Sequence, residues 1–420
     1  MYIGIVADDL TGAADAAAPF AKRGLQAGVG IALPGKPTFR MEACDALAYD
    51  TETREMPPEN SVKITRLTRA ATRRFLEFGP VLLYKKIDST LRGHLRLELD
   101  AMRRELPGRL AVVCPAFPAN GRTVVRGVLH IHGVPWTETD FAPSRSLDSD
   151  MPTVRAAFAG AQDIAVAEMG LDTLRQGVQA AEALWQRMMA QGIHTVFCDA
   201  VTQADLEILA QAILRQPQRY LPVGSAGFSA ALAAWLPDPP SPAAPATEKA
   251  EDVFATGRVL VAVGSRHPIS RRQAMYLAER AGILPVLLHK LTEAEEAAAQ
   301  IRAQWEAGQR VVLLITPASD VPNGSALFQA AALSLHKQCA RHGKKPVEAL
   351  ITTGGETAIQ FCHAFGGMGL YISGETQPGV VRGYLHSAEK GSAAFQGLPI
   401  ITKAGGFGTE ETLARCVGLV

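Results

Sequence analysis

The sequence predicts an α/β protein of two domains, each with a mainly parallel sheet flanked by helices and with a ligand cleft between them. Three observations lead to this fold class. Short apolar runs alternate with amphipathic helical segments along the chain, which is the pattern of β-α-β units. The 420 residues exceed what one core of ordinary size holds. Between the two halves lies the proline-rich stretch Pro237–Pro245, which can form neither a helix nor a central strand.

The composition is that of an ordinary globular protein. A net charge of +1 argues against a nucleic-acid-binding or membrane-surface protein, because these classes carry a basic excess. No export signal and no apolar run of bilayer length is found, so we expect a cytoplasmic location. The six cysteines form no C-x-x-C pair and should be reduced and mostly buried, without a zinc site. Metal ligands stay unassigned, and a homo-oligomer is compatible with the sequence.

The first domain is predicted over residues 1–236, followed by a linker at 237–256 and a second domain at 257–420. The opening strand of the first domain, from Ile3 to Val6, ends at Asp8 and Asp9. A turn with Thr11 and Gly12 then leads into an alanine-rich helix. Ligands of open α/β sheets bind at the carboxyl ends of the strands, which marks both acids as candidates. Adjacent residues point in different directions, so at most one should face a substrate while the other caps the helix.

Two further strands are predicted at Gly28–Leu33 and Ala46–Tyr49, and Arg54 follows the second. An arginine just past a strand end offers a planar fork to a carboxylate or a phosphate. The alternative is a surface arginine paired with Glu52 or Glu55.

A helix over 59–78 and a strand at Val81–Tyr84 precede an unusually polar run. Lysines, an acid, hydroxyls and an arginine after an apolar strand are costly to bury, which indicates a polar site. The run contains Lys85, Lys86, Asp88, Ser89, Thr90 and Arg92. The strand Leu110–Cys114 then leads into a proline-stiffened loop that ends in Asn120 and Arg122, which is either a binding loop or a rigid turn without a ligand.

The remainder of the first domain is less informative. Residues 128–149 are expected to be irregular, and His130 and His132 lack the further ligands that a metal would need. An amphipathic helix around Leu174–Met188 lies between strands predicted at Ile164–Ala167 and Thr195–Cys198.

The second domain contains three glycine-rich turns that each connect a strand to a helix. Close backbone approach at glycine, together with one mobile lysine, is what a polyphosphate requires. Three turns in equivalent positions favour this interpretation over ordinary chain reversal. The turns are Gly264-Ser265-Arg266-His267-Pro268, Thr353-Gly354-Gly355-Glu356-Thr357 and Lys403-Ala404-Gly405-Gly406. Further strands are predicted at Pro285–Leu288 and Val311–Ile315, with helices over 294–305 and 325–341.

Taken together, several segments resemble the four-carbon acid sugar kinases, a family first catalogued as a domain of unknown function. The resemblance covers both domains and is carried by IVADDLTGAADAA, DTETR, KKIDSTLRG, CPAFPANGRT, TGGETA and KAGGFG. It implies that the first domain binds a sugar acid, that the second binds ATP, and that a hydroxyl is phosphorylated with Mg²⁺ and lysines neutralising charge. D-threonate, D-erythronate and a 3-oxo-tetronate remain alternative substrates.

The resemblance also implies roles for individual residues. The sugar-acid contacts would be Asp8, Asp9, Arg54, Lys86, Asp88, Ser89 and Thr90, and Asn120 joins them from its position in the proline loop. The nucleotide contacts would be Ser265, Gly354, Gly355, Glu356, Thr357, Lys403, Ala404, Gly405 and Gly406. A sugar hydroxyl needs a carboxylate to accept its proton, and Asp8, Asp9 or Asp88 could supply it. His94 and the pair Arg266-His267 depart from the family pattern, which bears on the identity of the substrate.

Two rival classes of function make different demands on the sequence. A nicotinamide-dependent oxidoreductase would require G-x-G-x-x-G after the first strand of the nucleotide domain, and this motif does not occur at Gly264. A two-lobed sugar-acid sensor would require an export signal or a DNA-binding segment. A P-loop motif is also missing, so any phosphate site is not of the Walker type.

Overall fold

The computed structural model describes residues 2–31, 44–77, 81–141, 153–158, 165–238, 250–316, 324–341, 347–387 and 395–420. The chain divides into two compact units. One comprises Met1–Leu25 and Met41–Pro242, and the other comprises Gln26–Arg40 and Ala243–Val420. The grouping of segment 26–40 with the second unit was not expected from the sequence.

The strands of the described residues follow in chain order. They are β1 Tyr2–Ala7, β2 Ala27–Ile31, β3 Ala46–Asp50, β4 Val81–Lys86, β5 Leu110–Cys114, β6 Arg122–Val125, β7 Val128–Ile131, β8 Val134–Pro135, β9 Val166–Met169, β10 Thr195–Cys198, β11 Tyr220–Gly224, β12 Val259–Val263, β13 Val286–Leu287, β14 Val311–Ile315, β15 Ala349–Thr353, β16 Gly367–Gln377, β17 Val380–Ser387 and β18 Pro399–Lys403.

The α-helices of the same residues are α1 Leu10–Lys22, α2 Ser61–Leu76, α3 Leu95–Glu105, α4 Val154–Ala157, α5 Leu171–Leu174, α6 Val178–Ala190, α7 Gln203–Arg215, α8 Ala226–Ala234, α9 Ala250–Thr256, α10 Pro268–Ala281, α11 Ala294–Glu306, α12 Gly324–Arg341, α13 Gly355–Ala364 and α14 Thr412–Cys416. Short 3₁₀ turns at Pro58–Asn60, Pro118–Asn120, Trp136–Glu138, Pro217–Arg219 and Leu291–Glu293 connect some of them.

The first unit is built on a parallel sheet with the strand order β3-β1-β4-β11-β5-β10-β9. Strands β1, β3, β5 and β11 are buried almost throughout. Burial on both faces explains their continuous apolar runs, which are typical of parallel strands covered by helices. All the carboxyl ends lie at one edge of this sheet.

A small antiparallel sheet, β6-β7-β8, corrects the expectation that residues 128–149 are irregular. The chain reverses between β7 and β8 at His132 and Gly133, which both have positive φ angles. A histidine in this conformation is uncommon, and His132 therefore gave no recognisable turn signal. The part of this expectation that concerns residues 142–149 lies outside the described part of the chain.

The second unit contains the parallel strands β13-β14-β12-β15-β18, followed by β17, β16 and β2 in antiparallel pairing. The β16–β17 hairpin was not predicted, because glycines and polar residues interrupt its apolar pattern. Strand β2 was predicted, but it pairs with β16, more than 300 residues further along the chain. Its assignment to the first domain does not match this pairing.

Other local expectations are also corrected. Residues Ala250–Thr256 of the predicted linker form helix α9, since they contain no proline and Phe254 is buried in the core; residues 239–249 lie outside the described part. Helices α3 and α7 were not predicted. The five cysteines whose side chains are described are buried and lie outside any disulfide. Among the described helices, none has the length and apolar character to span a bilayer, and the cytoplasmic location stays a prediction.

Candidate functional site

In the first unit, the polar segments identified in the sequence converge because they follow three neighbouring strands. Residue Ala7 of β1 pairs with Asp50 of β3, and Val6 pairs with Lys85 of β4. The segments that begin at Asp8, Thr51 and Ile87 therefore leave the sheet side by side. This is the edge at which open parallel sheets bind ligands.

The central interaction of this edge joins Arg54 to Asp8. Arg54 donates from Nε to Asp8 Oδ2 at 2.9 Å and from Nη2 to Asp8 Oδ1 at 2.6 Å. The Arg54 side chain is 7% exposed and that of Asp8 is 1% exposed. The fork predicted to be open to a ligand is thus occupied by Asp8, and neither Glu52 nor Glu55 is its partner.

Asp9 caps helix α1 and also contacts Arg54. Its Oδ1 accepts from the backbone N–H of Gly12 at 2.8 Å, and its Oδ2 accepts from the Thr11 hydroxyl at 2.7 Å. Arg54 Nη1 lies 2.7 Å from the same Oδ2. The acid that caps the helix is therefore Asp9, and both acids bind the same guanidinium.

Asp88 is held by a second arginine in the loop after β4. Arg92 donates from Nε and Nη2 to the two Asp88 oxygens at 2.9 and 3.0 Å, and the Thr90 hydroxyl donates to Oδ2. This loop passes over Asp8 at Gly93, where a Cβ atom would lie 2.7 Å from Asp8 Oδ2 and where φ is +96°. Only glycine tolerates both conditions.

The two lysines of β4 point to opposite faces of the sheet, as the alternation of a strand requires. Lys86 Nζ lies on the face of helix α1, where a Cβ atom on Gly12 would be 3.1 Å from it. Lys85 Nζ is fully buried and lies 2.8 Å from Glu98 of α3. The sequence placed both lysines in one polar run; of the two, Lys86 is the one on the face that carries Gly12 of α1.

The charges of this cluster shift the pKa values of its acids in opposite directions. Burial alone would raise the pKa of Asp8, but Arg54, Lys85 and Lys86 hold it below its usual value. Burial would likewise raise the pKa of Asp88, which Arg92 and Arg54 keep well below the usual range. For Asp50, burial and the charge of Glu52 raise the pKa well above the normal value.

The remaining predicted sugar-acid residues lie in the loop after β4 and in the proline loop. Ser89 and Thr90 are buried in the loop after β4. Asn120 lies in a 3₁₀ turn, its carbonyl accepts from Arg122, and its Nδ2 has no hydrogen-bond partner among the described residues. Arg122 is close enough to Asp88 for the carboxylate to raise its pKa, against a larger lowering by burial. The structure therefore brings the proline loop towards the cluster through Arg122.

In the second unit, the three glycine-rich turns leave three neighbouring strands at the same level. Val263 at the end of β12 pairs with Thr353 of β15, which pairs with Lys403 of β18. The N–H of Gly354 donates to the carbonyl of Lys403 at 2.8 Å. A Cβ atom on Gly405 would overlap Ser265 Oγ, so the first and third turns pack directly on each other.

Lys403 is fully buried beneath the third turn. Its Nζ donates to the carbonyls of Ala404 at 2.8 Å and Gly405 at 3.3 Å, and it lies 3.4 Å from Ser270 Oγ. Burial lowers the pKa of Lys403 to about 7. The side chain is positioned under the turn without a carboxylate partner among the described residues.

Two residues of α10 that the sequence did not indicate hold this turn in place. Ser270 donates to the carbonyl of Gly405 at 2.7 Å. Gln273 donates from Nε2 to the carbonyls of Phe407 at 3.0 Å and Thr409 at 2.7 Å. Both side chains are fully buried, so three carbonyls of this segment are satisfied from inside the protein.

The other predicted nucleotide residues lie on the same surface. Gly355 opens helix α13, Glu356 is exposed in its first turn, and Thr357 is buried against Gly264. Ala404 and Gly406 are half-buried in the third turn. A helix N-terminus with free N–H groups is a suitable site for an anion.

Comparison with known proteins gives one family model for each half of the chain. Residues 3–232 match the family model described as a sugar-binding N-terminal domain, and residues 260–413 match a nucleotide-binding C-terminal domain. The chain is 34% identical to a D-threonate kinase from Bordetella bronchiseptica, covering 99% of this chain and 96% of the relative. It is 31% identical to a D-erythronate kinase from Heliobacterium modesticaldum, covering 98% and 95%.

The fold is also found among solved structures. A protein from Haemophilus influenzae superposes with a TM-score of 0.68 over 99% of each chain, at 23% identity. A likeness at this identity supports the α/β architecture alone.

We expect Asp8→Asn to destabilise the first unit, because the variant leaves the buried Arg54 fork without its bidentate partner. The loss of unfolding free energy at pH 7 should be about 2 kcal/mol or more, as for other buried charged hydrogen bonds. Urea denaturation followed by tryptophan fluorescence would measure it.

The pH dependence of that loss is fixed by the direction of the Asp8 shift. Because the pKa of Asp8 is lower in the folded state, its stabilising contribution is present above the unfolded value of 3.8 and is lost as the pH falls below it. The wild-type and variant curves should therefore converge in acid. Glu55→Gln, an exposed acid in the same loop, is the control, and an equal effect of both variants would contradict the role of the fork.

Proposed function

The chain belongs to the four-carbon acid sugar kinase family, and we propose that it transfers the γ-phosphoryl group of ATP to a hydroxyl of D-threonate. The observation that carries the proposal is the presence of two sites on one chain. The unit that matches a sugar-binding domain holds the carboxylate and guanidinium cluster around Arg54. The unit that matches a nucleotide-binding domain holds three aligned glycine turns with Lys403. D-threonate is favoured because the relative at 34% identity acts on it.

Recognition of the sugar acid is assigned to the face of the first sheet that carries Lys86. Arg54 is paired with Asp8 and Asp9, and its Nη1 lies 3.8 Å from Asp88. We assign the Nη1 and Nη2 protons that Asp8 and Asp9 do not accept to a substrate carboxylate. Lys86 adds a positive charge on the same face. The hydroxyls of Ser89 and Thr90, together with the Asn120 amide, are the groups we assign to the sugar hydroxyls.

Recognition of ATP is assigned to the three turns of the second unit. The N–H groups at Gly355, Gly405 and Gly406 can approach phosphate oxygens closely, and Lys403 supplies one positive charge. Gly354 contributes the turn itself, at a φ of +91°. Ser265, Glu356, Thr357 and Ala404 complete the surface that we assign to the nucleotide.

Mg²⁺ would neutralise the phosphates during transfer, as in other phosphoryl-transfer enzymes. The described residues contain no group of three His, Cys, Asp or Glu side chains placed to hold a metal. This fits a Mg²⁺ ion carried mainly on nucleotide phosphates and waters, which needs one or two protein carboxylates at most. No residue is assigned as its ligand.

We assign the proton acceptor to Asp9 among the three acids considered. Arg54 and Arg92 each form a bidentate pair, with Asp8 and Asp88 respectively, whereas Asp9 is contacted by Arg54 through Nη1 alone. The Asp9 side chain is 15% exposed, whereas that of Asp8 is 1% exposed. Asp8 then serves to orient Arg54.

An ATP-consumption assay over four-carbon sugar acids tests the function directly. We expect turnover with D-threonate and Mg-ATP that exceeds turnover with D-erythronate and with a 3-oxo-tetronate. A higher kcat/KM for either competitor would reassign the substrate within the family. Absence of ATP consumption with all three acids would refute the kinase proposal.

Asp9→Asn should remove the proton acceptor and keep the fold, because asparagine caps helices as well as aspartate does. We expect kcat to fall by about 10²- to 10⁴-fold with a smaller change in KM for the sugar acid. Steady-state kinetics and a melting curve measure both effects. A folded variant with near-normal kcat would show that transfer depends on positioning and charge alone.

ATP binding should be coupled to proton uptake by Lys403. With a pKa of about 7, the free lysine is mostly uncharged at pH 8, and nearby phosphates should raise its pKa so that it binds a proton. Calorimetric titrations of a non-hydrolysable ATP analogue at pH 8, in buffers of different ionisation enthalpy, should show uptake approaching about one proton.

The matched control for this experiment is Lys403→Met, which retains the length of the side chain without the amine. Its binding heat should be independent of the buffer and its affinity lower. Buffer-independent heat in the wild-type protein would contradict the assignment of Lys403 to the phosphates.

A further inference from the structure

A buried polar network lies directly beneath the loop that carries Arg54. Lys85 Nζ is 2.8 Å from Glu98 Oε2, and both side chains are 1% exposed. The other Glu98 oxygen, Oε1, accepts from the Thr53 hydroxyl at 2.6 Å. These three residues come from β4, α3 and the loop after β3, and the sequence assigned no role to Glu98 or Thr53.

The network is connected to the substrate cluster through the backbone. Thr53 precedes Arg54, and the N–H groups of both residues donate to the carbonyl of Asp8 at 3.0 and 3.1 Å. The Thr51 hydroxyl, 2.8 Å from that of Thr53, donates to the carbonyl of Ala7 at 2.9 Å. The loop is thus hydrogen-bonded to the end of β1 through its backbone N–H groups and the Thr51 hydroxyl. It is hydrogen-bonded to Glu98 through the Thr53 hydroxyl.

Packing alone does not account for an ion pair at this position. Removing two charges from water is expensive, and apolar residues of similar volume often stabilise a core as well or better. The site nevertheless requires Arg54 to be held at a fixed angle between Asp8 and Asp9. In addition, the loop includes Glu52 at a φ of +52°, a conformation that needs support from its surroundings.

We propose that Lys85, Glu98 and Thr53 form a positioning network that fixes Arg54 for binding of the sugar acid. Lys85 and Glu98 act through Thr53 and do not contact the substrate. The Lys85 charge has a second effect on the same cluster, since it helps to keep the pKa of Asp8 low and so keeps the partner of Arg54 ionised. This inference depends on the proposed function for its kinetic test.

The first test compares Thr53→Val and Glu98→Gln with the control Glu105→Gln. Glu105 lies on the same helix and pairs with the surface residues Arg69 and Arg73. The two network variants should raise KM for D-threonate by about ten-fold or more while KM for ATP stays within about two-fold. The control should change neither constant. Unchanged KM for D-threonate in folded Thr53→Val would overturn the proposal.

A second variant separates positioning from stability, because Glu98→Gln leaves Lys85 buried without a counter-charge and can fail to fold. The double substitution Lys85→Met with Glu98→Leu replaces the ion pair by apolar residues and should restore the melting temperature to that of the wild type. We expect KM for D-threonate to remain raised in this stable variant. Recovery of both properties would identify the pair as packing only.

Failure of the positioning role can be distinguished from failure of the proposed function. If the wild-type protein phosphorylates no four-carbon sugar acid, the function is refuted, and a crystal structure of the double variant still tests the network. We expect the segment of Thr53 and Arg54 to shift in that structure, so that the guanidinium keeps its pair with Asp8 and loses the 2.7 Å contact of Nη1 with Asp9. An Arg54 side chain in its original place would overturn the positioning role without reference to activity.

Discussion

The first unit depends on the fork of hydrogen bonds between Arg54 and Asp8. Both groups are almost fully buried, so each would be strongly unfavourable without the other. Because the pair lies across the ends of β1 and β3, it fixes the position of the loop after each strand. Asp9 then binds a third N–H group, and Gly93 lets the loop after β4 close over Asp8. The site is therefore assembled around one guanidinium.

The two units have sites of similar geometry that are built from different chemical groups. In each, three neighbouring parallel strands end at one level and deliver three segments to one place. In the first unit these segments carry side-chain charges, which compensate each other in pairs. In the second they carry backbone N–H groups at glycines, and the single buried lysine, Lys403, has no carboxylate partner in the described part of the chain. A site without internal compensation is suited to a highly charged ligand such as a polyphosphate.

Supporting residues occupy corresponding places under both sites. Glu98 of α3 holds the Arg54 loop through Thr53, and Gln273 of α10 holds the third glycine turn through two carbonyls. Each is a long polar side chain on the buried face of a helix that follows one of the site strands. Such residues satisfy the backbone and side-chain groups that face inward, so that the outward groups are left for ligands.

The sequence alone determined the α/β class, most strands of both sheets and the segments that carry the sites, because continuous apolar runs and glycine-rich strand ends are local signals. One of the two adjacent acids was also expected to cap the following helix, and Asp9 does so. Tertiary structure alone decided which charges pair. The fork of Arg54 belongs to Asp8, Lys85 separates from Lys86 and binds Glu98, and β2 joins a strand more than 300 residues away. These outcomes depend on contacts between segments far apart in the chain, and hydrophobic periodicity contains no information about such partners.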